Sequence, residues 1–291
     1  MVLIKRSTSA TDKPAVATPQ QLYSLPEDIN HPSDQIGDYS ILLYGAKKIG
    51  KTSFAARFPD AIFLATEPGT KALAVYTVPV KTYKDLDGYI TLLEADKTDR
   101  FKTIVVDTID IAYELCYNEI CRIKKINSPR DIDDFGATWG EIKGLFQKIV
   151  IRLLNTGRGV IFISHDTERE IELRGGKKID RIQPTMSNQA MTVIEAIVDI
   201  ICNYRYEGNK RFIQLDGTQT VVAGCRLEEH FYRQGGSPRT AGDRILTIPM
   251  GNTSQEAYDN FIAAFNNEQQ LTDVLPTIAP KVQPVIKKAQ P

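Results

Sequence analysis

Histidine, tryptophan and net charge are what this 291-residue chain has least of: three histidines, one tryptophan, and thirty-six basic residues against thirty-six acidic. With no bulk charge, binding to a polyanion has to come from a local patch. The four cysteines, Cys116, Cys121, Cys202 and Cys225, are scattered without metal-type spacing. Only His31, His165 and His230 could join them, which argues for reduced, mostly buried thiols over a metal centre. No apolar stretch reaches about 18 residues, and no charged-then-apolar leader is present. Neither a membrane span nor a secretion signal is expected, and a cytoplasmic location is. No internal repeat is visible. The remaining composition, 42% hydrophobic and 25% charged, is ordinary for a globular chain with a sizeable core.

Against that background one stretch stands out. Gly45-Ala46-Lys47-Lys48-Ile49-Gly50-Lys51-Thr52 follows the apolar run Ile41-Leu42-Leu43-Tyr44 and leads through Ser53 into Phe54-Ala55-Ala56. It reads as strand, phosphate loop, helix. Such a loop surrounds polyphosphate with backbone N–H groups, sets Lys51 on the β- and γ-phosphates and puts the Thr52 hydroxyl on Mg²⁺. ATP and Mg²⁺ are the expected ligands, held by Gly45 through Ser53.

Along the chain, short apolar runs alternate with helical segments, which predicts an α/β fold with a mainly parallel sheet flanked by helices. Strands are expected at 40–44, 61–65, 78–80, 101–107 and 160–164. Leu86, Ile90 and Leu93 mark a helix closing near Ala95, a long helix runs from Ile109 to Ile126, and another runs through Ile142, Phe146, Ile149 and Leu153. The Gly175-Gly176 pair sits at the tip of an expected hairpin or loop. A helix over 187–197 is followed by expected strands at 199–206, 211–216 and 220–225, read as an antiparallel extension. Thr253-x-x-Glu256 offers a capping box for a last helix through Phe265. Residues 1–38 read as a flexible arm, in which Leu22, Tyr23, Leu25 and Ile29 could dock. Residues 39–265 read as the folded domain and 266–291 as a disordered tail.

Several side chains are placed for chemistry. Asp107 ends a β-branched strand and is expected to hold Mg²⁺ through water, although an N-cap role is open to it. Glu67, beside Pro68-Gly69 at the end of its strand, is the first candidate to orient a water, with Asp110 second. His165 ends the next strand and is a candidate γ-phosphate sensor. Behind it, Arg174, Lys177, Lys178 and Arg181 surround a flexible tip that could grip a phosphate backbone. Phe135 and Trp139, near Arg130, could stack on bases or simply pack.

Together these residues resemble the RecA-like phosphate-loop ATPases, and most closely small phage ATPases of the Sak4 type, a group associated with single-strand annealing and recombination. The resemblance covers about Tyr39 to Phe231. It implies Glu67 as the catalytic acid, Asp107 as the Walker B acid and His165 as the sensor, with the loop behind it positioned like the second DNA-binding loop of RecA. The Asp134-Phe135-Gly136-x-x-Trp139 segment is similar to one in the phage group. Hexameric and filamentous relatives carry Lys and Arg on a late strand that reaches the neighbouring subunit's γ-phosphate. Here Val222-Ala223-Gly224-Cys225-Arg226 keeps only the arginine, which makes Arg226 the candidate trans finger. The expected protein is therefore an ATPase binding single-stranded DNA as a ring or filament, with a single-strand-binding protein as a further partner and no membrane association. Its competitors are a phosphate-loop kinase acting on a small acceptor and a nucleotide-dependent interaction switch with little turnover.

Overall fold

The structure is a computed structural model that describes residues 26–269 apart from 241. The expectations for 1–25 and 270–291, including docking through Leu22, Tyr23 and Leu25, lie outside the described residues. The chain divides after Pro32, and residues 26–32 contain no helix or strand. Every described helix and strand lies from Ser33 onward.

The first strand, β1 (Ser40–Gly45), is buried along its whole length. Its side chains alternate, with Ile41 and Leu43 packing into one core and Leu42 into the other, as a strand covered on both faces requires. Each such buried aliphatic side chain stabilises the fold by about 1.5–3 kcal/mol. The phosphate loop leads to a short helix, α1 (Lys51–Ala55), then β2 (Ala61–Ala65), β3 (Tyr76–Pro79), α2 (Tyr83–Ala95) and β4 (Thr103–Asp107). A helical pair comes next, α3 (Ile109–Lys124) and α4 (Ala137–Leu154), in which Tyr113 meets Phe146 and Lys124 reaches Thr138 and Glu141. Then come β5 (Gly159–Glu172), β6 (Lys178–Pro184), α5 (Asn188–Ile197), β7 (Ile200–Glu207), β8 (Lys210–Gln214), β9 (Gly224–Cys225), β10 (Thr247–Pro249) and α6 (Ser254–Phe265).

The main sheet runs β10-β8-β7-β1-β5-β4-β2-β3, and every pairing from β7 to β3 is parallel. One strand, β5, separates the phosphate-loop strand from the strand ending in Asp107, and this is the RecA-like core. On one face Phe54 of α1 packs edge-on with Phe58, just past the helix (5.4 Å), and with Phe261 of α6 (5.5 Å). On the other face lie α2, α3, α4 and α5. Thr82 and Thr253 each form a capping box, the latter as expected.

Two expectations are modified. The segment 199–206 belongs to both parts of the sheet: β7 pairs antiparallel with β8 and β9, as expected, but also parallel with β1, because α5 carries the chain back across the sheet before it begins. The segment 220–225 is mostly not a strand. Its Val222 carbonyl accepts the Tyr44 hydroxyl (2.6 Å) and its Val222 N–H donates to Ile182, leaving only Gly224–Cys225 to pair with β7. The outermost antiparallel place goes to β10, a short strand with no hydrophobic run to announce it.

Candidate functional site

The parallel strands deliver their C-terminal ends to one edge, where their register sets Gly45 beside His165 and Asp107 beside Ala65. Gly45 has no substitute at this position. A Cβ there would stand 1.9 Å from the carbonyl oxygen of Tyr204 on β7, so only glycine lets the loop leave the sheet. Lys48 and Gly50 take left-handed backbone conformations, φ 64° and 115°, that fold the loop over the start of α1. Lys47 and Lys48 point outward and are exposed.

Lys51 is buried, and its Nζ donates to the carbonyls of Gly45 (2.6 Å) and Ala46 (2.9 Å). Burial pushes its pKa down, and the negative charge of Asp166 opposes that most strongly. Thr52 Oγ1 donates to Asp107 Oδ2 (2.8 Å). Burial pushes the Asp107 carboxyl up, against the pull of the Thr52 hydrogen bond. A hydroxyl and a carboxylate side by side are hard oxygen donors that fit Mg²⁺. Among the described residues no group of three or more His, Cys, Asp or Glu is placed to hold a metal, and Mg²⁺ in a phosphate site needs only one or two protein ligands.

His165 stands between the loop and the acid. Its Nδ1 is 3.4 Å from Lys51 Nζ and its Nε2 3.8 Å from Glu67 Oε2. The backbone N–H groups of Thr66 and Glu67 both donate to the Asp107 carbonyl, which ties the end of β2 to the end of β4. Thr108 Oγ1 donates to Glu67 Oε1 (3.4 Å). Asp110, the second candidate, is engaged elsewhere: its Oδ1 accepts from Thr185 (2.6 Å) and Ser164 (3.1 Å). The structure thus brings Lys51, Thr52, Asp107, Glu67 and His165 together.

Arg226 it puts elsewhere. It follows β9, beside Ile200 at the start of β7, whereas the phosphate loop leaves the far end of β1. The guanidinium donates to the carbonyls of Glu195 (3.1 Å), Ala196 (2.8 Å) and Ile197 (3.4 Å) at the end of α5. The basic hairpin is also sorted in a way that a charge count hides. Cross-strand partners share a face, so Arg169 and Arg181 lie together with Ile171 and Ile179, while Glu168, Glu170, Glu172, Asp180 and Lys178 share the opposite, acidic face. Lys178 is paired with Glu170 (2.6 Å), which raises its pKa, and Arg174 and Lys177 sit at the exposed turn.

Sequence reasoning missed Asp166, Arg169 and Arg211. Asp166 directly follows His165 and offsets the Lys51 charge. Arg211 reaches from β8 to the Ile49 carbonyl (3.5 Å) and the Gly251 carbonyl (3.3 Å), bracing the loop. An arginine in a strand carries no motif, whereas the strict alternation over 166–184 could have identified Arg169.

Fold and site define a nucleotide-binding phosphate-loop ATPase domain built on a RecA-like core. The chain belongs to the AAA domain family AAA_24, whose model matches residues 38–227. An SPbeta prophage-derived uncharacterized protein, YorG, of Bacillus subtilis (strain 168) is 24% identical over 246 residues, covering 81% of this chain and 69% of its own length. The crystal structure of a KaiC-like protein from the hyperthermophilic archaeon Pyrococcus horikoshii OT3 covers 73% of this chain and 85% of its own, with 14% identity and a TM-score of 0.39. The fold assignment rests on the strand order, not on that likeness. No described helix is long and apolar enough to cross a membrane.

Proposed function

We propose that this chain is an ATP-hydrolysing, Mg²⁺-dependent ATPase of the phage Sak4 type, which grips single-stranded DNA in its ATP-bound form. The observation that carries the reading is the continuity of β5. One unbroken strand, Gly159–Glu172, holds His165 against Lys51 and Glu67 and then becomes the first arm of the hairpin bearing Arg169, Arg174, Lys177 and Arg181. A change at the γ-phosphate is therefore coupled to the hairpin through one piece of backbone.

In this reading ATP draws Lys51 off the Gly45 and Ala46 carbonyls and onto the phosphates. Glu67, held by Thr108 and next to His165, orients the attacking water, and His165 transmits the presence of the γ-phosphate to the hairpin. Mg²⁺, when bound at Thr52 and Asp107, neutralises charge on the phosphates. Arg226 is the candidate arginine supplied to a neighbouring subunit, and to reach one it has to release the end of α5.

The test is steady-state ATP turnover with and without single-stranded DNA. Lys51→Ala should abolish nucleotide binding. Glu67→Gln should lower kcat by about 10²–10⁴-fold, and Asp110→Asn should retain most of it. DNA that neither binds in an ATP-dependent way nor alters turnover would refute the reading. Phosphate transfer to a small acceptor would establish a kinase instead.

A further inference from the structure

We propose that the cleft between α3, α4, β5 and the start of α5 is a nucleobase pocket that takes one unpaired nucleotide of single-stranded DNA. The proposal rests on the DNA-binding reading above and adds the residues that would hold the strand.

The cleft has a volume of about 610 Å³ and is lined by Tyr113, Tyr117, Trp139, Arg169, Asn188 and Gln189 among others. That size lies in the range of small-molecule sites. Tyr117 and Trp139 meet at 5.9 Å with their planes tilted by 53°, so neither ring spends its face in a stack on the other. The Tyr113 hydroxyl donates to Gln189 Oε1 (2.9 Å), which fixes the amide and leaves its N–H₂ for an acceptor on a base edge. Arg169 spans the rim, with Nη1 donating to Asn188 Oδ1 (3.3 Å). Aromatic faces, amide donors and a guanidinium are the chemistry of a base, its edge and its phosphate.

Charge continuity favours a strand over a free nucleotide. Arg169 is the cross-strand partner of Arg181, so a second guanidinium, half-buried and near Glu195, starts from the same face of the hairpin as the one at the rim, an arrangement that suits successive phosphates. The acidic face, with Glu168, Glu170 and Glu172, turns the other way.

Trp139 is the only tryptophan, so its emission reports on this cleft alone. With ATP and Mg²⁺ saturating, oligo(dT) is titrated into the full chain while binding is read separately from the anisotropy of a labelled oligonucleotide. Quenching of Trp139 should track strand binding. Tyr117→Ala should weaken binding about tenfold and Tyr117→Phe should restore it. Arg169→Gln, on the exposed rim, provides a second variant if Tyr117→Ala does not fold, and should reduce the salt slope by about one. Strand binding with unchanged Trp139 emission, or unaffected by both variants, overturns the pocket and leaves DNA binding by the hairpin intact. If no strand binds, the DNA reading itself fails, and dTMP then decides: saturable quenching reassigns the cleft to a free nucleotide and overturns the strand as its source, while no quenching overturns the pocket altogether.

Discussion

At the scale of single residues, the site works by holding polar groups where burial disfavours their charge. Lys51 and Asp107 are both shifted toward neutrality by burial, opposed most strongly at Lys51 by the charge of Asp166 and at Asp107 by the hydrogen bond from Thr52. The thiols follow the same physics without a catalytic purpose. Burial pushes the Cys116 thiol from its ordinary 9.0 up to about 12. The fold therefore favours the protonated thiol. Its contribution to stability is complete below pH 9, erodes as the unfolded thiol ionises, and is gone by about pH 12. Thermal unfolding measured across that window should show a falling Tm, and Cys116→Ala should make the decline shallower. Below pH 9, iodoacetamide should leave Cys116 unmodified in the native protein. The placement of Gly45, Lys51 and Thr52 was readable because each occupies a fixed offset within the loop motif, and that of Asp107 because it ends a β-branched strand. Glu67 ranked ahead of Asp110 in the sequence by its place at a strand end, whereas the engagement of Asp110 by Ser164 and Thr185, from elements distant in the chain, left no mark there.

Among the elements, the hydrophobic period was enough to locate β1, β2, β4 and β5 and helices α2, α3 and α4. It said nothing about which glycines those helices need. Gly140 and Gly144 lie on the exposed side of α4, and a Cβ added at either would meet nothing within 4 Å. Gly144→Ala should therefore stabilise the protein by about 0.5–1 kcal/mol, because it removes backbone freedom from the unfolded chain without a clash. A Tm unchanged or lowered would mean that α4 requires a glycine for a contact outside this chain. The hairpin teaches the converse lesson. Four basic residues near Gly175-Gly176 looked equivalent in sequence, yet β-pairing puts Lys178 opposite Glu172, where it bridges diagonally to Glu170, and Arg181 beside Arg169. Face, not count, decides which of them can meet a polyanion.

For the whole molecule, the question is how ATP sites are completed. Arg226 caps α5 within its own chain, and as a trans finger it would act in the neighbour's site. Arg226→Ala should lose about 1 kcal/mol of stability through the unmet α5 carbonyls, visible as a lower Tm. Its turnover should also fall, and mixing it with Lys51→Ala subunits should restore part of the activity, since one supplies an intact phosphate loop and the other an intact arginine. No recovery on mixing would remove Arg226 from the reaction and leave it a helix cap. The sequence by itself determined the phosphate-loop site: a glycine-bounded loop between a strand and a helix is a local arrangement, and local arrangements are written in adjacent residues. It also determined the alternation of strands and helices, because hydrophobic period is local too. Only the tertiary structure decided that β7 joins the parallel core, that His165 falls between Lys51 and Glu67, and that three aromatic rings meet Arg169 in one cleft. Those outcomes come from register and packing between segments far apart in the chain, which no window along it contains.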